Sequence, residues 1–386
     1  MLNSIAVSGY RSLRELVLPL SALSVVTGAN GSGKSNVYRA LRLIAAAASG
    51  TIVPALAREG GLASVLWAGP QQIAGSVRRG ERPVQGTTRS KPVSLRLGFS
   101  ADDFSYAIDL GLPAPATTMF ALDPQIKRES LWAAPVYRPA SALVERNGAL
   151  VKRRDDAGQW LPVTTHLAAT DSLLAQLADP RATPEVLQLR ERMRAWRFHD
   201  SLRTDEHAPA RSPQIGTHAP ILAHDGGNLA AALQTIIEIG DADALAQSID
   251  DAFPGSRVEI VAHDTRFSVH MHQHGLLRPL TGAELSDGTL RYLLLAAALL
   301  SPRPSALVVL NEPETSLHPD LLPALARLII RASRTSQIIV VSHANRLVAG
   351  LLEDDQASLL PLEKSFGETS LTGRAAPQPA WKWPNR

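Results

Sequence analysis

The chain contains 386 residues, 45% of them hydrophobic, and has a formal net charge of +3 at pH 7. A chain of this length can bury a large core in one or two lobes, and so small a net charge excludes any conclusion about nucleic acid from the total alone. The absence of cysteine excludes disulfides and thiolate metal sites, which suits a reducing cytosol.

The distribution of apolar residues predicts a cytoplasmic protein. The N-terminus is a strand pattern interrupted by polar residues, without the apolar core of a signal peptide. The longest apolar run, 292–300, is flanked by Arg291 and Pro302 and is far shorter than the roughly 20 residues that span a bilayer. We therefore expect neither a membrane partner nor a pore.

A glycine-rich segment follows the first strongly apolar strand. Leu23 to Val26 predicts that strand, and Asn36 to Ala48 predicts a helix with apolar residues spaced by three and four. The segment 28–35 between them fits G-x-x-x-x-G-K-[ST], the phosphate-binding loop, and the complete pattern in this context argues against an ordinary glycine-rich turn. In such a loop, backbone N–H groups surround a phosphate chain, the lysine (Lys34) reaches the terminal phosphates and the hydroxyl (Ser35) coordinates Mg²⁺. The predicted nucleotide-binding residues are Gly28, Ala29, Asn30, Gly31, Ser32, Gly33, Lys34, Ser35 and Asn36.

The middle of the chain changes from a β pattern to a helical one. Val93 to Phe99 and Phe104 to Leu110 predict a hairpin, and Asn147-Gly148 predicts a second hairpin turn. From about residue 165 to 251 the spacing is helical, without the sustained heptads of a coiled coil. We therefore predict an antiparallel β-region followed by a compact helical lid. The predicted helices cover 172–178, 184–198 and 228–239.

Basic residues concentrate in three groups. Such runs are usually solvated faces, but the first two groups could neutralise the phosphates of a nucleic acid if they share one surface. The groups are Arg78, Arg79, Arg82, Arg89, Lys91 and Arg96, then Lys152, Arg153 and Arg154, and finally Arg190, Arg192, Arg194 and Arg197.

Three histidines alternate along one predicted strand. His270, His272 and His274 therefore share one face. Histidine is a common metal ligand, but no carboxylate is interleaved with these three, and an exposed strand face is the more ordinary interpretation. We favour that interpretation over a metal site.

A predicted helix rich in Leu and Ala begins at the segment Leu285 to Thr289. The first N–H groups of a helix have no partner within the helix and favour anions. Ser286 and the backbone N–H of Gly288 could therefore bind a phosphate at this position.

Two further predicted strands end in residues suited to hydrolysis. The strand over 306–310 runs into Asn311 and Glu312, and a carboxylate at that position can polarise an attacking water. The strand over 338–341 runs into Ser342 and His343, where a histidine can contact a γ-phosphate. We therefore predict Glu312 and His343 as catalytic residues.

In this order, the segments resemble the ABC-type ATPases, specifically their SMC/RecF-like branch, which includes bacterial predicted ATPases of similar length that stand alone. The opening Ser8 to Leu13 also resembles the segment that precedes the phosphate loop in this branch. In the family's terms the segments are Walker A at 28–35, the signature at 285–289, Walker B at 307–312, the D-loop at 315–318 and the switch histidine at His343.

The resemblance implies an α/β fold, an ABC-type P-loop NTPase with a mixed sheet core, an antiparallel β-subdomain and a helical insertion. It implies an N-terminal ATPase lobe at 1–164, a helical lid insertion at 165–255 and a C-terminal ATPase lobe at 256–386. The implied cofactors are ATP and Mg²⁺, with the metal held by Ser35 and Asn311. The implied active form is an ATP-dependent, head-to-tail homodimer. In it, the residues that face the phosphate loop of the other subunit are Ser286, Asp287 and Gly288.

The sequence departs from the family pattern at three points. Asn311 stands where Walker B carries Asp, which removes one negative charge near Mg²⁺ and weakens the hold on the metal. Asp287 and Thr289 replace a Gly and the Gln of the signature Leu-Ser-Gly-Gly-Gln. The family's Q-loop glutamine has only weak candidates, Gln71 and Gln72, for which a surface loop is the simpler interpretation.

Three functional hypotheses follow. The leading one is an ATP-dependent clamp that acts on DNA, in repair or in defence against foreign DNA. The second is an ATP-gated regulatory module that controls a separate nuclease or toxin without binding DNA and hydrolyses slowly because of Asn311. The third, a transporter motor subunit, fits least, since the opening segment and the residues around Walker B resemble the soluble branch. The chain ends soon after His343, so we expect any nuclease to be a separate protein.

Overall fold

The computed structural model describes residues 1–69, 94–113, 119–200, 202–372 and 379–384. The chain divides into two compact units. The first unit comprises 1–20, 28–194 and 360–386, and the second comprises 21–27 and 195–359. Each unit is therefore assembled from distant parts of the sequence.

The strands of the described residues are β1 (Leu2–Tyr10), β2 (Leu13–Pro19), β3 (Leu23–Gly28), β4 (Leu95–Ala101), β5 (Ser105–Gly111), β6 (Gln125–Trp132), β7 (Ala142–Asn147), β8 (Leu150–Arg154), β9 (Trp160–Thr164), β10 (Arg197–His199), β11 (Gln214–Ile215), β12 (Arg257–His263), β13 (Arg266–His272), β14 (Leu280–Thr281), β15 (Leu307–Asn311), β16 (Gln337–Val341), β17 (Ala357–Ser365) and β18 (Glu368–Leu371). Their α-helices are α1 (Lys34–Ala48), α2 (Ile52–Arg58), α3 (Leu62–Val65), α4 (Leu173–Gln176), α5 (Pro184–Arg194), α6 (Leu229–Ile239), α7 (Ala242–Ala252), α8 (Asp287–Leu299), α9 (Leu322–Ala332) and α10 (Asn345–Leu351). Within the described ranges, every helix is too short or too polar to cross a membrane.

An antiparallel sheet of eight strands dominates the first unit, in the order β2-β1-β4-β5-β6-β7-β8-β9. The predicted hairpin is confirmed as β4 and β5, with Leu97 opposite Ile108. The predicted turn between β7 and β8 is also confirmed. Gly148 has a positive φ of 60° there, which glycine adopts without steric cost.

A buried ion pair fastens the segment before α5 to this sheet. Arg146 and Glu129, on neighbouring strands, are 2.9 Å apart, and both side chains are fully buried. Glu129 also accepts hydrogen bonds from the Tyr106 hydroxyl at 2.6 Å and from the Leu173 backbone N–H at 2.9 Å. Because a buried carboxylate needs several partners to offset its desolvation, this network fixes α4 on the sheet.

Four parallel strands form the centre of the second unit, in the order β10-β15-β16-β3. Their register places Leu310 beside Val340 and Val340 beside Val25. Strands covered on both faces are continuous apolar runs, which is why the sequences of β3, β15 and β16 predicted these three strands correctly. Helices α6, α8 and α9 share one hydrophobic core with this sheet, and so does β13 of a smaller antiparallel sheet.

The predicted helix 184–198 is wrong at its end. Helix α5 ends at Arg194, and the residues after it form β10, which runs parallel to β15 with Phe198 opposite Val309. Pairing with a distant strand satisfies the backbone groups that a longer helix would satisfy locally, and no local pattern signals it. The predicted helix 172–178 is shorter than expected, since α4 covers only Leu173–Gln176. The predicted helix 228–239 is confirmed as α6.

The predicted lid, 165–255, draws its helices from both compact units. Helices α4 and α5 belong to the first unit, and α6 and α7 belong to the second. The division into two ATPase lobes, 1–164 and 256–386, and a lid, 165–255, therefore stays a prediction, and its bounds differ from those of the compact units.

Candidate functional site

The loop between β3 and α1 is shaped by three glycines. Gly28, Gly31 and Gly33 have positive φ values of 146°, 78° and 108°, which L-residues rarely adopt. A Cβ on Gly28 would overlap the carbonyl oxygen of Leu362, and one on Gly33 would overlap the hydroxyl of Thr369. Gly28 and Gly33 are therefore required by close packing as well as by backbone conformation.

Lys34 lies within the turn of this loop. It is the first residue of α1 and is only 5% exposed. Its Nζ donates hydrogen bonds to the carbonyl oxygens of Gly28 at 2.7 Å and Ala29 at 3.0 Å. The ammonium group is thus held inside the glycine turn by two backbone carbonyl oxygens.

A chain of side-chain hydrogen bonds connects the phosphate loop to Ser12 and Thr369. Asn36 Nδ2 donates to Ser12 Oγ at 2.8 Å, and Ser12 Oγ lies 2.7 Å from Thr369 Oγ1. The Thr369 hydroxyl in turn donates to the carbonyl oxygen of Ser32 at 2.7 Å. The opening segment that contains Ser12 therefore contacts the loop directly. Sequence reasoning missed Thr369, because nothing near it in the chain marks the contact.

The ends of three parallel strands meet at one edge of the second unit's sheet. Asn311 pairs with Val341, and Val341 pairs with Val26 of β3. Ligand sites in parallel sheets lie outside the carboxyl ends of the strands. The segments that follow β15 and β16 both leave from this edge.

Glu312 has a strained backbone at the end of β15. Its φ is +49°, and such values are uncommon for residues other than glycine. The Glu312 N–H donates to the carbonyl oxygen of Val341 at 2.8 Å, and its own carbonyl accepts from the Thr315 N–H at 3.1 Å. Its side chain is 40% exposed, with Oε1 3.8 Å from Nδ1 of His343. Strained backbone of this kind is frequent at functional sites. The two side chains predicted to be catalytic, Glu312 and His343, are therefore neighbours in the structure.

Glu314 joins the loops after β15 and β16. Its Oε1 accepts a hydrogen bond from the Ser342 hydroxyl at 2.7 Å and from the His343 backbone N–H at 3.1 Å. Nδ1 of His343 lies 3.5 Å from the same oxygen. Glu314 therefore positions His343. Sequence reasoning missed this role, because an acidic residue two positions after Glu312 has no signal of its own.

Two basic side chains that were not predicted are buried near the end of β15. Arg291, on α8, donates to the carbonyl oxygen of Leu202 at 2.9 Å and to that of Glu312 at 3.5 Å. Burial lowers the pKa of Arg291, while the Glu314 carboxylate opposes this shift. Burial also lowers the pKa of His199, at the end of β10, to about 4. His199 is therefore neutral at neutral pH.

The signature segment, 285–289, begins α8 as predicted. The Ser286 hydroxyl accepts from the Thr289 backbone N–H at 3.2 Å and caps the helix. Arg211, which was not predicted, donates to Asp287 Oδ1 at 2.6 Å and to the carbonyl oxygen of Leu285 at 2.6 Å. This ion pair holds the carboxylate of Asp287 beside the first turn of α8.

Gly288 lies at a close approach of two backbone segments. A Cβ at this position would lie 3.0 Å from the carbonyl oxygen of Ser316, in the D-loop segment 315–318. A larger residue would require the Ser316 carbonyl to shift by a few tenths of an ångström.

The predicted basic groups have different outcomes. Residues 78–91 of the first group and the candidates Gln71 and Gln72 lie outside the described residues. In the third group, Arg192 forms an ion pair with Asp103, and Arg190 and Arg194 pair with Glu191. Of the four arginines only Arg194 is exposed, and burial lowers the pKa of Arg197, so the interpretation as a solvated face holds for Arg194 alone.

The second basic group borders a concave surface of about 400 Å³ on the antiparallel sheet. Neighbours in a strand point to opposite faces, so Lys152 and Arg154 line this surface and Arg153 does not. The Arg154 guanidinium lies 4.9 Å from the ring centroid of Trp160, while Lys152 is exposed. Arg128 and Tyr137 also line it.

Strand β13 contains His270 and His272 but ends before His274, which lies in the turn that follows, so the predicted row of three histidines is wrong at its last member. His272 Nε2 lies 2.6 Å from Glu259 Oε2 on the neighbouring strand, and this contact lowers the pKa of Glu259. Across the part of the chain that the structure describes, no group of three or more His, Cys, Asp or Glu side chains could hold a metal ion.

The family described as "AAA domain, putative AbiEii toxin, Type IV TA system" matches residues 23–349. The chain belongs to this family of AAA ATPases. A comparison with curated proteins found no match.

Two solved structures have the same fold at low sequence identity. One is an Smc head bound to the C-terminal winged-helix domain of ScpA, with 13% identity and a TM-score of 0.51, covering 97% of this chain and 98% of that one. The other is an Smc head with an extended coiled coil bound to the C-terminal domain of ScpA, from Pyrococcus furiosus. It has 12% identity, a TM-score of 0.50 and coverage of 97% and 96%. The predicted α/β fold of an ABC-type P-loop ATPase, similar to SMC heads, is thereby confirmed.

Proposed function

We propose that this ATPase binds ATP with Mg²⁺ at its phosphate loop, dimerises head-to-tail around the nucleotide and separates after hydrolysis. The observation that carries the proposal is Lys34, a buried ammonium held inside a glycine turn by the carbonyl oxygens of Gly28 and Ala29. Because the loop is supported by the Ser12 and Thr369 side chains, it is preorganised for phosphate. Binding energy then need not be used to order it.

The chain offers suitable ligands for the metal. Ser35 provides a hydroxyl in the phosphate loop, and Oδ1 of Asn311 is buried without a hydrogen-bond donor among the described residues. Oxygen ligands of this kind suit Mg²⁺, which keeps several waters in such sites. When bound, Mg²⁺ would neutralise charge that develops on the phosphate oxygens.

In this proposal each remaining residue has one role. Glu312 orients the attacking water, and His343, fixed by Glu314, contacts the γ-phosphate. The signature residues Ser286 and Gly288 of the second subunit close the site, with Asp287 held aside by its ion pair. ATP therefore stabilises the dimer, and hydrolysis removes the contacts that hold the two subunits together.

We propose DNA as the substrate of this dimer, in repair or in defence against foreign DNA. The support is the concave surface with Lys152, Arg154 and Arg128 beside the aromatic rings of Tyr137 and Trp160. Cationic side chains neutralise phosphates without reading sequence, and aromatic rings stack on unpaired bases. The two faces of β8 allow a matched test. Lys152→Glu and Arg153→Glu make the same charge change on opposite faces.

Fluorescence anisotropy with a labelled oligonucleotide across a salt series, with and without ATP, measures this binding. Lys152→Glu should reduce DNA affinity several-fold and flatten the salt dependence, whereas Arg153→Glu should have a smaller effect. Both variants should keep the basal ATPase rate. If the wild type does not bind DNA at low salt under either condition, the DNA proposal is wrong.

The second candidate function is ATP-gated control of a separate nuclease or toxin. Two observations support it: the family description includes a toxin of a Type IV TA system, and both similar Smc heads were crystallised with a domain of ScpA. Such a module would dimerise on ATP without binding DNA. Retained ATP-dependent dimerisation in a protein that shows no DNA binding would favour this function.

A further inference from the structure

Two buried oxygen atoms at the end of β15 have no hydrogen-bond donor among the described residues. They are Oδ1 of Asn311 and Oε2 of Glu314. Glu314 is only 9% exposed, and a buried carboxylate oxygen without a partner is costly. Two such acceptors in one short loop point to a shared ligand that carries positive charge.

The position of the Glu314 carboxylate is fixed. Its other oxygen, Oε1, is held by the Ser342 hydroxyl and the His343 N–H. The backbone is held as well, since the Glu314 carbonyl accepts from the Leu317 N–H at 3.0 Å. The side chain therefore cannot turn Oε2 toward water without breaking these two hydrogen bonds, the first of which is buried.

The nearby basic side chains make their contacts with other atoms than Oε2. Arg291 is close enough for the carboxylate to influence its pKa, but its hydrogen bonds go to carbonyl oxygens of Leu202 and Glu312. His343 approaches Oε1 and not Oε2. In the described ranges, no arginine or lysine forms an ion pair with Glu314.

We propose that Glu314 supplies the carboxylate charge that Asn311 lacks, so that these two side chains together hold the divalent cation of the nucleotide site. The inference rests on the proposed binding of ATP with Mg²⁺. Divalent cations prefer carboxylate and amide oxygens, and a carboxylate three positions further along the loop restores the charge lost at the end of β15. In this arrangement the carboxylate ligand of the metal site has moved from position 311 to position 314, so the asparagine does not weaken the site.

Electron paramagnetic resonance with Mn²⁺ and a non-hydrolysable ATP analogue measures cation affinity without turnover. Glu314→Gln keeps the shape and an acceptor for Ser342 but removes the charge, so it should weaken Mn²⁺ binding about tenfold or more. Adding Asn311→Asp to Glu314→Gln should restore most of that affinity. Glu363→Gln is the control, since it removes an exposed carboxylate on β17 and should leave Mn²⁺ affinity within about twofold.

Mn²⁺ affinity in Glu314→Gln equal to that of the wild type would overturn the inference. If Glu314→Gln does not fold, Glu314→Asp replaces it. The shorter side chain keeps the charge but moves it away from the cation. Unchanged Mn²⁺ affinity in Glu314→Asp would also overturn the inference. Binding of the ATP analogue in EDTA distinguishes failure of the proposed function from failure of this inference. A wild type that does not bind the analogue contradicts the proposed function and this inference together, whereas normal binding with no effect at Glu314 contradicts the inference alone.

Discussion

The hydroxyl of Thr369 donates a hydrogen bond to the carbonyl oxygen of Ser32 across 337 positions of the sequence. This bond ties the hairpin of β17 and β18 to the phosphate loop, and Ser12 adds a second tie 2.7 Å from the same hydroxyl. The conformation of the loop therefore depends on residues from both ends of the chain.

Thr369→Val tests this dependence, because valine has nearly the same shape and lacks the hydroxyl. The change leaves the Ser32 carbonyl and the Ser12 hydroxyl without their partner, so stability should fall by about 1–3 kcal/mol, and nucleotide affinity should fall with it. Urea unfolding and titration with an ATP analogue measure the two effects. Ser370→Ala, an exposed change on the same strand, should alter neither. Equal stability of Thr369→Val and wild type would show that the tie is unimportant.

Lys34→Ala should abolish tight ATP binding. Lys34 is the cation within the phosphate loop, and hydrogen bonds to charged groups contribute about 1.5–3 kcal/mol each, which corresponds to at least a tenfold loss of affinity. Isothermal titration with ATP is the measurement, and Arg39→Ala, exposed on the same helix, is the control. Unchanged affinity in Lys34→Ala would remove the assignment of the phosphate loop.

Asn311→Asp should change the Mg²⁺ requirement and leave the fold intact. The substitution adds a second carboxylate at the end of β15, so half-maximal ATPase activity should occur at a lower Mg²⁺ concentration. ATPase rate against Mg²⁺ concentration measures the shift, and circular dichroism checks the fold. Identical curves for the two proteins would mean that residue 311 takes no part in holding the metal.

The features predicted correctly from the sequence are local or strongly periodic. The apolar runs of β3, β15 and β16 are short and buried on both faces, so each strand and the polar residues that end it could be placed by pattern alone. The phosphate loop needed only its own glycines and its flanking elements. Gly148 marked its hairpin because only a few residues tolerate positive φ.

The features missed depend on distant contacts. Strand β10 exists because β15 provides its partner, and Thr369 and Arg211 act on segments far from them in the chain. The role of Glu314 depends on the Ser342 hydroxyl of the next strand's loop. The second basic group was defined by charge alone. Because neighbours in a strand point to opposite faces, Lys152 and Arg154 lie on one face of β8 and Arg153 lies on the other.

We propose that ATP joins two copies of this chain and that Glu312 ends the dimeric state by promoting hydrolysis. Glu312→Gln keeps the size of the side chain but cannot accept a proton from the attacking water, so the variant should bind ATP and accumulate as a dimer. Glu363→Gln, an exposed carboxylate on β17, should behave as the wild type. Size-exclusion chromatography with light scattering, with and without ATP, is the decisive measurement. We expect Glu312→Gln to be a monomer without ATP and a stable dimer with ATP. A variant that stays monomeric with saturating ATP, or hydrolyses ATP at the wild-type rate, would show that Glu312 does not have this role.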